Sequence, residues 1–169
     1  GALIARHFSA KHNDKLSSLI IHASIYKRTE DQKRVVQNRF EVAKTNRPAS
    51  KQTAIRRWLS ENFIKKNPDV YKKIYSILEK NNRTDFLKCY EIFVNYIDDD
   101  SMLKKIKVDT LITTGKNDVG STPEMSRNLS KMIQGSKFVE IKGGKHLCGI
   151  ECANNVNIVF KEFIDKNNG

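Results

Sequence analysis

Thr113-Thr114-Gly115-Lys116-Asn117-Asp118 and Gly143-Gly144-Lys145-His146 are two short turn-rich stretches, each preceded by a β-branched run and followed by a segment of helical spacing. Strand, tight loop and helix are the repeating steps of a parallel α/β sheet. Asp118 and His146 therefore fall on loops at the same end of neighbouring parallel strands. The carboxyl ends of such strands form a crevice where ligands and catalytic groups collect. The 28 residues separating the acid from the histidine leave room for one helix and one strand.

The sequence between and beyond them fills that plan. Ser121-Thr122-Pro123-Glu124 reads as a capping box with proline in the first turn, opening a helix that carries Met125, Leu129, Met132 and Ile133. Residues 137–141 read as the last strand, and 150–164 as the last helix, with Val156, Val159, Phe160 and Phe163 inward. Upstream, residues 108–113 form a strand, preceded by a short turn with Met102, Leu103 and Ile106. Asp98-Asp99-Asp100 reads as a helix end and cap rather than a cation site.

Residues 29–97 show helical spacing and no convincing strand. One helix opens at Thr29 with acid in its first turn and runs to Asn46-Arg47-Pro48. A second covers 50–66 as one piece, a third starts at Pro68, and a fourth starts at Thr84 with Phe86, Leu87, Tyr90, Phe93, Val94 and Ile97 inward. Cys89 falls in this last helix as core packing. At the amino end, residues 1–8 read as a helix burying Leu3, Ile4 and Phe8. Residues 16–25 follow as a strand buried on both faces, because Leu19-Ile20-Ile21 is continuously apolar. His7, His12 and His22 fall in a helix, at its end and in that strand, and read as structural. The organisation is a three-stranded parallel core from residues 1–28 and 98–169, with a helical insert at 29–97.

The net charge is +12, and residues 27–83 hold 16 Lys/Arg against 6 Asp/Glu. The basic residues are scattered through helical periodicity without a dense run, an RNA-binding signature or zinc-finger spacing, so a solvated surface is favoured over a basic helical module that binds nucleic acid. No apolar stretch approaches the roughly 20 residues of a membrane span, and no charged region followed by an apolar run marks a signal peptide. Three cysteines give no paired framework, which suits a reducing cytoplasm. His146, Cys148 and Cys152 lack the fourth ligand of a structural zinc site. No metal or cofactor is expected.

Four fragments in order resemble the α/β-hydrolase superfamily. Gly1-Ala2-Leu3-Ile4-Ala5 resembles the helix after the nucleophile elbow, Thr114-Gly115-Lys116-Asn117-Asp118 the acid loop, Ser121-Thr122-Pro123-Glu124-Met125 the helix behind it, and Gly143-Gly144-Lys145-His146 the histidine loop. The insert stands where that family carries its cap. There, Arg56-Arg57-Trp58-Leu59, Phe63 and Asn67-Pro68-Asp69-Val70 look most like the 3-oxoadipate enol-lactonase group, whose members hydrolyse a small anionic lactone. The resemblance implies the C-terminal two-thirds of a serine-type hydrolase acting on a small ester or lactone. Its serine would lie just upstream of Gly1, so residues 1–169 alone would be inactive. Asp118 and His146 would be catalytic. Arg56 or Arg57, over Trp58, would bind an anionic substrate. An Asp-nucleophile relative of the dehalogenase or epoxide-hydrolase type remains open.

Overall fold

A computed structural model describes residues 1–167. In chain order the elements are α1 (Ala2–Lys11), β1 (Ser18–His22), α2 (Glu30–Thr45), α3 (Arg47–Trp58), α4 (Glu61–Lys66), α5 (Pro68–Lys80), α6 (Arg83–Val94), α7 (Asp100–Leu103), β2 (Asp109–Gly115), α8 (Pro123–Ser130), β3 (Lys137–Ile141), α9 (Cys148–Glu151) and α10 (Ala153–Asn167). They form two compact units, one of residues 1–26 with 98–169 and one of 27–97.

The first unit is built on a parallel sheet in the order β1-β2-β3 among the described residues. Ser18 pairs with Asp109 and His22 with Thr113, while Leu111 pairs with Lys137 and Gly115 with Ile141. β2 is the strand enclosed on both faces, buried from Thr110 through Gly115. β1 is not: Leu19 and Ile21 are buried, but Ser18, Ile20 and His22 are only half-buried. An apolar run therefore overstated the burial of β1, which has one hydrogen-bonded neighbour where β2 has two. α8 packs on β2 and β3, and α10 on β1 and β3.

α1 also buries a different face from the one its apolar residues suggest. Ile4 is 75% exposed and Phe8 45% exposed, whereas Arg6, Ser9 and Ala10 are buried. The guanidinium of Arg6 donates to Ser24 Oγ (3.3 Å), to the Ile25 carbonyl (2.9 Å) and to Asp98 Oδ1 (2.5 Å). Tyr26 donates to Asp100 Oδ1 at 2.8 Å. The segments that leave and re-enter the sheet unit are thus tied to each other inside it. Asp99 caps α7 through the Ser101 and Met102 amides. The three consecutive aspartates do three different jobs: ion pair, cap and hydroxyl acceptor.

The second unit consists of α2 to α6. Thr29 and Gln32 make a reciprocal capping box on α2. Val36, Phe40 and Ala43 of α2, Ile55 of α3 and Leu59 are its buried apolar residues. The single helix expected over 50–66 is two, because Leu59 is extended and the Ser60 hydroxyl accepts from Phe63 N to start α4. Ile97 is 86% exposed and Cys89 is exposed, against the inward positions expected of them. α6 ends at Val94 before Ile97, and its partly buried face runs through Phe86, Leu87, Tyr90 and Phe93, which leaves Cys89 on the far side. Arg47 donates to the Glu79 and Asn81 carbonyls at the end of α5, and Arg83 to the Lys44 carbonyl near the end of α2. Part of the positive charge thus satisfies helix C-termini, where orphan carbonyls favour cations.

Candidate active site

Two loops leave the carboxyl ends of β2 and β3, and backbone hydrogen bonds lace them together. Lys116 N donates to the Ile141 carbonyl and Asn117 N to the Gly144 carbonyl, each at 2.9 Å. The approach is close enough to require glycine. A Cβ on Gly115 would sit 2.3 Å from the carbonyl oxygens of Gly144 and Lys145, and one on Gly144 would sit 2.3 Å from Cys148 Cβ. The turn residues that mark these loops in the sequence are therefore what allows them to touch.

Asp118 sits in a tight turn, its N donating to the Gly115 carbonyl at 3.0 Å. Its residue exposure is 3%, and its carboxylate is fully engaged. Oδ1 accepts from Gly120 N (2.7 Å) and Ser121 N (3.0 Å), and Oδ2 lies 2.7 Å from His146 Nδ1. A carboxylate only accepts, so Nδ1 carries the proton and a neutral imidazole keeps its basic lone pair on Nε2. The His146 side chain is 34% exposed against 1% for Asp118. The arrangement is a buried, amide-held carboxylate orienting a partly accessible base.

Ser121 is buried and its carbonyl accepts from Thr114 Oγ1 at 2.8 Å. The cap of α8 is Thr122, whose hydroxyl accepts from Met125 N, with Pro123 in the first turn. Ser121 was the expected cap, but its backbone N is committed to Asp118. The helix starts one residue later, which moves Glu124 out of box register.

His22, read from the sequence as structural, lies against this site. Its Nδ1 is 2.7 Å from Thr113 Oγ1 and its Nε2 is 3.5 Å from Cys148 Sγ. Burial, and then the neighbouring His146, push its pKa below the usual histidine value, with Asp118 pulling the other way. The sequence places it inside a strand over 16–25, whereas β1 ends at His22, on the edge that carries Asp118 and His146. His7 and His12 are exposed on and beside α1. Cys148 is buried, and burial, with Cys152 and Asp118 nearby, raises its thiol to about 11, which is unsuited to a nucleophile at neutral pH. Among the described residues, no three His, Cys, Asp or Glu side chains are grouped to hold a metal ion.

Arg56, Arg57 and Trp58 close the last turn of α3 in the helical unit. Arg56 is exposed, and Arg57 and Trp58 are half-buried. Arg57 is near enough to Tyr90 to oppose the burial that raises the phenol pKa.

No family model matches the sequence. The described structure superposes on solved structures along nearly its whole length, and the class they define is the α/β hydrolases. An α/β hydrolase from a Medee basin deep-sea metagenome library matches with a TM-score of 0.82 and 22% identity, over 98% of this chain and 62% of that one. The chain has the α/β-hydrolase fold. Within that class it is similar to the enol-lactonase of Burkholderia xenovorans LB400, with a TM-score of 0.86 and 21% identity over 97% of this chain and 62% of that chain. In sequence it is 24% identical to the (E)-2-((N-methylformamido)methylene)succinate hydrolase of Acinetobacter baylyi, over 98% of this chain and 62% of that protein. The chain thus spans about 62% of the length of the relatives it matches. No described helix is long and apolar enough to cross a membrane.

Proposed function

We propose that this chain supplies the acid and the base of a serine-type α/β hydrolase that cleaves a small ester or lactone, with the nucleophile carried outside residues 1–169. The observation that supports this reading most is the 2.7 Å contact between His146 Nδ1 and Asp118 Oδ2 on loops at the ends of adjacent parallel strands. A hydroxyl is a weak nucleophile until a base takes its proton. His146 Nε2 accepts that proton as the hydroxyl attacks the carbonyl, and Asp118 stabilises the imidazolium without itself being protonated. His146 then returns the proton to the leaving alcohol, and the same pair activates water to release the acyl group.

The helical unit serves as the cap, and its charge selects the substrate. The Acinetobacter relative acts on a succinate derivative and the Burkholderia one is an enol-lactonase. Arg56 or Arg57 beside Trp58 reads a substrate carboxylate, since a guanidinium donates two parallel hydrogen bonds to it. The three free thiols fit a reducing compartment.

The test uses the longer protein and compares an anionic ester with its neutral methyl ester. Either Arg56→Gln or Arg57→Gln is expected to lose roughly 10- to 150-fold in kcat/KM on the anion, corresponding to one charge-assisted hydrogen bond, while keeping its rate on the neutral ester. Equal ratios in wild type and both variants would refute the anion reading. Single turnover in ¹⁸O-water separates the alternative chemistry: label in an enzyme aspartate would replace the serine mechanism by an Asp-nucleophile one.

A further inference from the structure

His22 is the last residue of β1, and its ring bridges β2 and the start of α9. The ring is held from three sides: by Thr113 Oγ1 at Nδ1, by Cys148 Sγ at Nε2, and edge-on by Phe160 of α10, with ring centroids 5.6 Å apart. The chain then turns sharply. Ala23 takes a left-handed φ of 50°, and its N donates to the Thr113 carbonyl at 2.8 Å. A non-glycine residue there is strained, so the surrounding contacts fix the end of β1 firmly.

Cys148 lies two residues beyond His146, is fully buried, and donates its N to the Lys145 carbonyl at 3.2 Å. It closes the loop that presents His146. Its thiol, raised to about 11 chiefly by burial, stays protonated at neutral pH. The tautomer that gives the buried S–H an acceptor has Sγ–H donating to Nε2 and Nδ1–H donating to Thr113 Oγ1; the reverse pairing, Thr113 O–H to Nδ1 and Nε2–H to Sγ, leaves the S–H unpaired. A protonated ring has no lone pair for the thiol. It would also set a second cation beside His146 when His146 becomes imidazolium. The titratable groups acting on the ring are His146, Asp118 and Cys148. Thr113 from β2 and Phe160 from α10 are uncharged, and Arg6 on α1 is turned to Ser24, Ile25 and Asp98.

We propose that His22 is a positioning residue for His146: through the Cys148 thiol it holds the loop that presents His146 to Asp118, and it does so only as neutral imidazole. The inference rests on the catalytic role proposed above, but its first readout does not require turnover.

That readout is a ring-labelled histidine NMR titration of the longer protein, with amide exchange over residues 143–148. In wild type, the His146 signals should show a second inflection where His22 takes up its proton. His22→Gln should remove that inflection and speed loop exchange by roughly tenfold, the loss of about one hydrogen bond. Cys148→Ser, which retains a donor, should keep the coupling, and Cys148→Ala should lose it. If His22→Gln does not fold, Thr113→Val gives the same reading, because the His22 transition and the second His146 inflection should shift together. In the longer enzyme, His22→Gln should lower kcat by up to about 100-fold with KM little changed, as displacement of a catalytic group does. A single His146 transition, identical in wild type and His22→Gln with unchanged loop exchange, would overturn the proposal. Intact coupling in an enzyme without esterase activity would uphold it and refute the hydrolase reading instead.

Discussion

The sheet unit and the helical unit bury different things. In the sheet unit the buried set includes Arg6, Ser9, Ser24, Thr110, Thr113, Thr114, Asp118, Ser121 and Ser126 beside the aliphatic core. In the helical unit the buried charged residue is Lys51, which pairs with the half-exposed Glu79 and lies over the Tyr75 ring. α5 and α6 have no fully buried residue. Of the buried polar groups in the sheet unit, Asp118 and Thr114 are held by hydrogen bonds, while Ser126 Oγ has no hydrogen-bond partner among the described residues. Hydrogen-bonded buried groups fix one geometry, because each misplaced partner costs desolvation. Half-buried aromatic helices hold a general shape and tolerate change. On the function proposed above, the acid–base pair lies in the first kind of region and the substrate-reading arginine in the second.

The difference can be broken most sharply at Asp118. In the longer enzyme, Asp118→Asn should lower kcat by about 10⁴, since an amide no longer enforces the Nδ1–H tautomer. Steady-state kinetics with unchanged circular dichroism checks it. A smaller but still large effect is expected from Arg6→Met, which removes the cation from a buried carboxylate: roughly 3–5 kcal/mol of stability in urea unfolding. The matching change in the helical unit, Lys51→Met, faces a partner that is 54% exposed and should cost at most about 1 kcal/mol. Equal losses would erase the distinction between the units. Gly115→Ala should cost roughly 1–3 kcal/mol by overpacking and should shift the amide signals of residues 143–147, because the new methyl meets backbone rather than a flexible side chain.

The smallest effect concerns pH. The folded-state pKa of His22 is depressed, first by burial and then by His146. The unfolded chain therefore binds the proton more readily. The contribution of His22 to stability is complete above its unfolded value of about 6.5 and is lost as pH falls through the lower folded value. Urea midpoints should drop between pH 7.5 and 5, and the drop should flatten in His22→Gln.

The sequence made the strand-loop-helix steps around Asp118 and His146 readable because glycines, a proline and β-branched runs carry local signals that packing does not override. Residues 137–141 form a strand at the expected bounds for the same reason. What was not readable depends on neighbours distant in sequence. Arg6 displaces Ile4 and Phe8 from the buried face of α1 because Asp98, 92 positions away, completes its ion pair. The break between α3 and α4 turns on one serine cap inside a periodic stretch. His22 looks like strand packing until β2 and α9 bring Thr113 and Cys148 to its ring.

On the function proposed above, Asp118 and His146 activate a serine of the longer protein. The most direct measurement of this is covalent labelling of the longer protein by a fluorophosphonate, followed by intact mass and peptide mapping. One label on one serine is predicted, with the rate lowered by about 10⁴ or more in His146→Ala, as for removal of a triad base. Labelling at the same rate in wild type and His146→Ala, or no serine labelled in an enzyme that still turns over an ester, would contradict it.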